Sequence, residues 1–386
     1  MDRWLRNRRD APFAALVLAT AVVYLAIDPP PVHSANVFWS QSLIERANTV
    51  IWASSHFGQV LDYLVLQAGR ATIGFPFTPV RAMAVVTYGA GLLYLASLAA
   101  FASTLGRDRR IPMFLLGSVS PVTVFLHGDA ALGALPAPFA LLALTLFRIR
   151  DGHSDRAQAA IPAIVAGIGA ALHGAALILL PGVIALQIAA DRARSLGAVA
   201  RSAIGGGASF FGPTGALLIF YVLAFRNVTI IPGDANGGTA GGQVQLFILP
   251  FQNIPANGGF RAYAFFSWLH LTDVLTMLAM GVPAFAAVIA TVAVRPRDAL
   301  GSMRRRAPEW VMGAMGVVVV VTLYPGVGII AGQYALVPGL ALLQVLSLGL
   351  VLELDPTSWR WTFAPMLVAT LAATVFDWQM YWRGAL

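Results

Sequence analysis

Apolar runs about as long as a membrane crossing recur from one end of the chain to the other, separated by polar segments. The first run predicts helix one at 11–27. Helix two is expected at 78–104, ending at Arg107, Arg109 and Arg110. Helices three and four are expected at 111–126 and 131–147, with His127-Gly128-Asp129 as the turn between them. The stretch from Ala157 to Ala190 is too long for a single crossing of about 20 residues. Arg flanks it on both sides, so it should cross twice, turning at His173-Gly174. Helices seven to eleven follow at 203–225, 274–294, 309–323, 335–352 and 361–377, with a tight connection from Tyr324 to Tyr334. The pattern predicts an all-α, polytopic transmembrane helical protein of about eleven spans, with 1–386 forming one membrane domain.

Two long segments, 28–77 and 226–273, fall on the same side under this alternation. In the first, Leu43, Ile44, Ala47, Val50 and Ile51 recur at helical spacing, and so do Val60, Leu61, Leu64 and Val65. Both stretches predict helices lying on the membrane surface. The second segment has a Gly-rich stretch, Gly233 to Gly242, and an aromatic run with Tyr263, Phe265, Phe266 and Trp268. Aromatic residues favour the membrane interface.

Composition supports the membrane reading. The chain is 58% hydrophobic and only 11% charged, against about 25% charged in soluble domains. All 25 basic residues are Arg. All but Arg46, Arg70, Arg81, Arg226, Arg261 and Arg383 fall in the N-terminus or in segments assigned to one side. The net charge of +8 therefore reflects the positive-inside bias, not a nucleic-acid partner. The N-terminus is expected in the cytoplasm and the C-terminus outside, in a cytoplasmic (inner) membrane. Arg3, Arg6, Arg8 and Arg9 before an apolar run also look like a signal peptide. Asp28-Pro29-Pro30-Pro31 offers no small-residue cleavage site, so the run reads as an uncleaved helix. Without Cys the chain has no disulfide, thiolate metal site or Cys nucleophile.

Five of the six His fall in segments on the side opposite the Arg. Asp28 leaves helix one there and could accept a proton from a hydroxyl. His56, Gln59 and Tyr63 share one helical face, with Asp62 on its edge. That strip is either the solvated side of an amphipathic helix or a substrate-facing surface. His127 and Asp129 bracket a very short turn, and His173 stands among Ala, Leu and Gly. His270 and Asp273 are spaced i, i+3, where Asp273 caps helix eight or orients the imidazole. Arg261 could grip a lipid phosphate, since guanidinium matches phosphate oxygens in bidentate fashion. No P-loop, dinucleotide fingerprint, HExxH or nucleophile elbow occurs. No His or Asp pair has diagnostic metal-ligand spacing. A divalent cation is compatible with the set but not specified by it.

In the order of these features the chain resembles the GT-C superfamily of polytopic membrane glycosyltransferases. The likeness rests on Phe38-Trp39-Ser40-Gln41-Ser42, then Ser55-His56-Phe57-Gly58-Gln59, and on Gly167 to His173 running to Leu180-Pro181. It covers about the first half of the chain. It implies interfacial helices and a catalytic acid in the first outer segment, and sugar transfer from a polyprenyl-phosphate donor. Where the family pattern has an acid after Trp39, this chain has Ser40, and the two prolines after His56 are missing. Under the resemblance Asp28 or Asp129 serves as base. His56, His127, His173, His270, Asp273 and Arg261 then bind substrate. The competing readings are a non-catalytic membrane subunit that keeps the fold within a larger assembly, and a transporter. Carriers place ionisable groups near mid-membrane, where this chain has almost none.

Overall fold

The computed structural model describes residues 10–26, 44–46, 50–52, 56–74, 77–121, 123, 135–150, 160–224, 229–231 and 267–384. Within these the chain is helical apart from one two-stranded ribbon. The helices are α1 (Ala11–Ala26), α2 (His56–Ile73), α3 (Pro79–Ser103), α4 (Arg107–Ser118), α5 (Pro136–Arg150), α6 (Ile161–Leu172) and α7 (Leu180–Ala190). They continue with α8 (Leu196–Ala224), α9 (Trp268–Gly281), α10 (Ala284–Val294), α11 (Pro296–Arg305), α12 (Ala307–Leu354) and α13 (Trp359–Gly384). Strands β1 (Val50–Trp52) and β2 (Thr229–Ile231) form the ribbon. Among the described residues two helices, α3 and α8, are long and apolar enough to cross a membrane. Other apolar helices, α1, α5, α6, α7 and α10 among them, span 10–17 residues, shorter than the expected crossings.

The helix boundaries have local causes. Thr78 caps α3: its backbone is extended and its Oγ1 accepts the Arg81 N–H at 3.4 Å, with Pro79 opening the first turn. After α3 the chain reverses at Gly106, whose φ of 92° suits glycine. Arg107, Arg109 and Arg110, expected as a loop, form the first turns of α4. That helix breaks after Ser118, inside the run expected to continue to 126. Ser120 precedes Pro121, and a residue before proline resists the helical region. The Val119 carbonyl freed at this end accepts the Thr370 hydroxyl of α13 at 2.5 Å.

The stretch 157–190 does double back at His173. This residue is extended (φ −155°, ψ 136°), and a 3-10 turn, Gly174–Leu179, leads into α7. Pro162 and Ala163 at the start of α6 line one small cavity with Val183, Leu186 and Gln187 near the end of α7. The two helices are therefore arms of a hairpin. Both pack on α8 through small residues. A Cβ on Gly167 would stand 2.1 Å from the Phe210 carbonyl oxygen, and one on Gly206 would stand 3.1 Å from Gln187 Cβ.

Three more expectations differ. Val50 and Ile51, expected on a surface helix with Leu43, Ile44 and Ala47, lie instead in β1, where each pairs with a residue of β2. Helix eight, expected unbroken, is two helices, α9 and α10, separated at Val282-Pro283. Proline lacks the N–H a continuous helix needs. The Ala284 N–H exposed by the break donates to Oε1 of buried Gln344 at 3.1 Å. Because α9 begins at Trp268, Asp273 lies in its second turn and does not cap the helix. The connection expected at Tyr324–Tyr334 falls inside the long helical element α12. Its two arms nevertheless pack on each other: a Cβ on Gly313 would stand 3.5 Å from Leu343 Cα. In a straight helix those positions would lie about 45 Å apart, so the chain reverses between Gly313 and Leu343.

The main core takes Phe13 from α1, Tyr94 and Phe101 from α3, Phe114 from α4, Leu144 from α5, Leu346 from α12 and Met366 from α13. At one end of this bundle Asp10 binds Arg110 at 2.6 Å. Arg148 donates through Nε and Nη2 to Glu309 Oε2 at 2.9 and 2.5 Å, and its guanidinium lies 4.2 Å from the Phe101 ring centroid. Arg306 pairs with Glu353, and Arg295 donates to the Leu354 carbonyl at 3.0 Å. These residues come from segments the charge pattern assigns to a single side. They form an arginine end, and the ribbon lies at the opposite end.

Candidate functional site

At the ribbon end the two long segments meet. β1 and β2 pair in parallel, Val50 with Thr229, Ile51 with Ile230 and Trp52 with Ile231. The ribbon thus ties 28–77 to 226–273 just before α2 begins. Phe57 and Val60 of α2 pack on Ala171 of α6 and Tyr221 of α8, with the Phe57 and Tyr221 rings edge to face at 5.8 Å. Val65 packs with Val86 and Ala90 of α3, Leu135 and Leu172. Leu66 packs with Ile44, Phe77, Ala82 and Met83. Arg70, one of the few Arg expected on this side, pairs with Glu45 at 2.8 Å.

The surprise in α2 is its rotation. The sequence gives it an apolar side, Val60, Leu61, Leu64 and Val65, and a polar strip. In the structure Leu61 and Leu64 face outward, 37% and 50% exposed. Gln59 and Asp62 face inward and are buried. Of the strip, Gln59 is thus turned into the protein and Tyr63 is half-buried. Tyr63 lies close enough to Tyr221 for their phenols to interact electrostatically.

Asp62 is the unusual member. It is fully buried, and among the described residues neither carboxylate oxygen has a hydrogen-bond partner. Burial without a compensating cation pushes its carboxyl well above the usual carboxylate range. Such an acid keeps its proton to a much higher pH than a surface Asp. Perturbed acids of this kind gather at functional sites. The sequence placed Asp62 at the edge of the strip without making it a candidate. The available signal was the spacing of Gln59, Asp62, Tyr63 and Leu66, which is one helical face.

Of the residues singled out from the sequence, Asp28, His127, Asp129 and Arg261 lie outside the described residues. His56 opens α2, and His270 and Asp273 lie one turn apart on α9; their side chains also lie outside what is described. His173 is half-buried at the bend between α6 and the 3-10 turn. The preceding Leu172 packs against Val65 and against the Phe57 and Tyr221 cluster. His173 therefore shares the ribbon end with Asp62. Among the described residues no group of three or more His, Asp or Glu could hold a metal ion. Compared with known proteins, the chain matches no family model and no curated protein sequence.

Proposed function

We propose that the chain is a GT-C-like integral membrane glycosyltransferase, taking a sugar from a polyprenyl-phosphate-linked donor at the outer face of the cytoplasmic membrane. In this reading the chain crosses about eleven times, with its N-terminus in the cytoplasm and its C-terminus outside. The observation that carries the proposal is the orientation of α2, which turns Gln59 and the buried Asp62 inward beside the ribbon joining both outer segments.

The chemistry needs one proton acceptor. The acceptor hydroxyl attacks the anomeric carbon, the bond from that carbon to the phosphate oxygen breaks, and polyprenyl phosphate leaves. A carboxylate takes the hydroxyl proton. A base works best with a pKa near the operating pH, and burial moves Asp62 in that direction. Asp28 and Asp129 are the other candidates for this role. His56, His127, His173, His270 and Asp273 position the substrates, and Arg261 holds the donor phosphate.

The test is sugar transfer in proteoliposomes holding the full chain and a panel of polyprenyl-phosphate sugars. Asp62→Asn, Asp28→Asn and Asp129→Asn are assayed separately. Loss of a general base should lower turnover by about 10²–10⁴-fold. Full activity in all three variants would exclude this mechanism. The second reading, a non-catalytic subunit, draws support from α8, whose apolar window is only 11% buried. Ile204, Ile219 and Leu223 there are 72%, 64% and 73% exposed. A stoichiometric membrane partner, with no transfer from any donor, would favour that reading.

A further inference from the structure

At the arginine end, α11 connects α10 to α12. It buries Ala299 and Ser302 and turns Arg297, Leu300, Arg304 and Arg305 outward. Three contacts hold it in this orientation. The Ser302 hydroxyl donates to Glu353 at 3.3 Å, Arg306 pairs with the same carboxylate, and Arg295 donates to the Leu354 carbonyl. All three anchors lie at the far end of α12. The outward face is therefore fixed, and its composition is unusual. Arg297, Leu300 and Arg304 fall on successive turns of one face. Leu300 is 56% exposed, and Val294, the last residue of α10, is 78% exposed. Arg297, Arg304 and Arg305 make no ion pair among the described residues. Asp298, in the first turn, is the one exposed carboxylate on this helix.

Exposed Leu and Val beside unpaired Arg suit an interface that is apolar on one side and anionic on the other. A soluble acidic partner would match the Arg but leave the aliphatic groups in water. We infer that α11 is a binding site for anionic phospholipid: Leu300 and Val294 enter the acyl boundary, while Arg297, Arg304 and Arg305 hold headgroup phosphates. Guanidinium binds phosphate through paired N–H donors. A basic residue at an anionic membrane surface is worth about fivefold in binding, so three together confer a preference on the order of a hundredfold at low salt.

The chain has no Cys, so a single substitution places a probe without background. Leu300→Cys carrying a spin label is placed in the full chain, in nanodiscs of phosphatidylcholine alone or mixed with phosphatidylglycerol. The label should meet membrane-dissolved oxygen more readily than an aqueous nickel chelate. Lipid retained on the purified protein should be enriched in phosphatidylglycerol. The triple variant Arg297→Gln, Arg304→Gln, Arg305→Gln should lose most of that enrichment, and the corresponding triple Lys variant should keep the greater part. A label as open to nickel as one on a soluble loop would overturn the inference. So would unchanged enrichment in the Gln variant. If the Gln variant fails to fold, the label accessibility in the otherwise unchanged chain still decides. Neither readout involves sugar transfer, so this result is separate from the fate of the proposed activity.

Discussion

Replacing Glu309 by Leu should be among the most damaging single changes at the arginine end. Glu309 and Arg148 have side chains only 5% and 8% exposed, and two guanidinium nitrogens share one carboxylate oxygen. With Glu309 removed, Arg148 keeps the Phe101 face, a contact worth about 2 kcal/mol when desolvated, and the more distant attraction of Glu353. It also feels Arg306 more strongly, since Glu309 no longer offsets that repulsion. Breaking one side of a buried pair costs about 3–5 kcal/mol. The double change Arg148→Met with Glu309→Leu leaves no uncompensated charge, and such replacements are often neutral or stabilising. The double variant should therefore be more stable than either single variant. Chemical unfolding in detergent, followed by tryptophan fluorescence, measures this, with Trp310 beside the pair. The reasoning fails if Glu309→Leu costs less than about 1 kcal/mol, a value typical of exposed pairs. It also fails if the two single losses simply add, because coupled residues should not be additive.

Four further predictions concern other parts of the fold. Folded Asp62 holds its proton more tightly than the unfolded chain, so its stability contribution is complete below the usual carboxylate pKa of about 3.9 and is lost as pH rises toward the raised folded value. Thermal melts should show the wild type losing about 1.4 kcal/mol per pH unit in that window and Asp62→Asn losing none of it; matching pH profiles would contradict the burial argument. Gln344→Leu should cost about 1–3 kcal/mol by orphaning the Ala284 N–H, and a melting temperature equal to wild type would show that the α10 break is satisfied otherwise. Gly167→Val should destabilise by about 1–3 kcal/mol or more, since its Cβ meets the Phe210 carbonyl. Gly205→Ala, with open space beyond it, should be neutral or stabilising in the same assay.

Hydrophobic periodicity located α1, α3, α5 and the hairpin of α6 and α7 to within about five residues, because each lies in a long apolar run. It read through the α9–α10 break. One proline inside an apolar run has little effect on a hydropathy window, and the Gln344 amide that satisfies the break is 60 residues away in sequence. The parallel ribbon was equally hidden, since β1 and β2 are three residues each and lie far apart in the chain. Arg sidedness was the most informative signal. Asp10 with Arg110, Arg148 with Glu309 and Arg306 with Glu353 are partners that no local pattern pairs, yet all come from segments assigned to a single side.

The two ends of the bundle treat buried charge differently. At the arginine end each buried ionic group faces an opposite charge: Arg148 has Glu309, and Glu353 has Arg306. That arrangement relieves desolvation and fixes helix ends, which is a structural role. At the ribbon end Asp62 is buried with no offsetting charge or hydrogen bond among the described residues, on a helix whose Leu61 and Leu64 point outward. Stability alone would favour an apolar residue at 62, since an unsatisfied buried polar group costs about 1–3 kcal/mol. Where local preference and the folded arrangement conflict, function is the usual reason for keeping the conflict. This contrast, more than the count of His and Asp on one side, directs the search for chemistry to α2. It makes Asp62→Asn the most informative single substitution, because one change should relieve the pH-dependent loss of stability and remove the proton acceptor together.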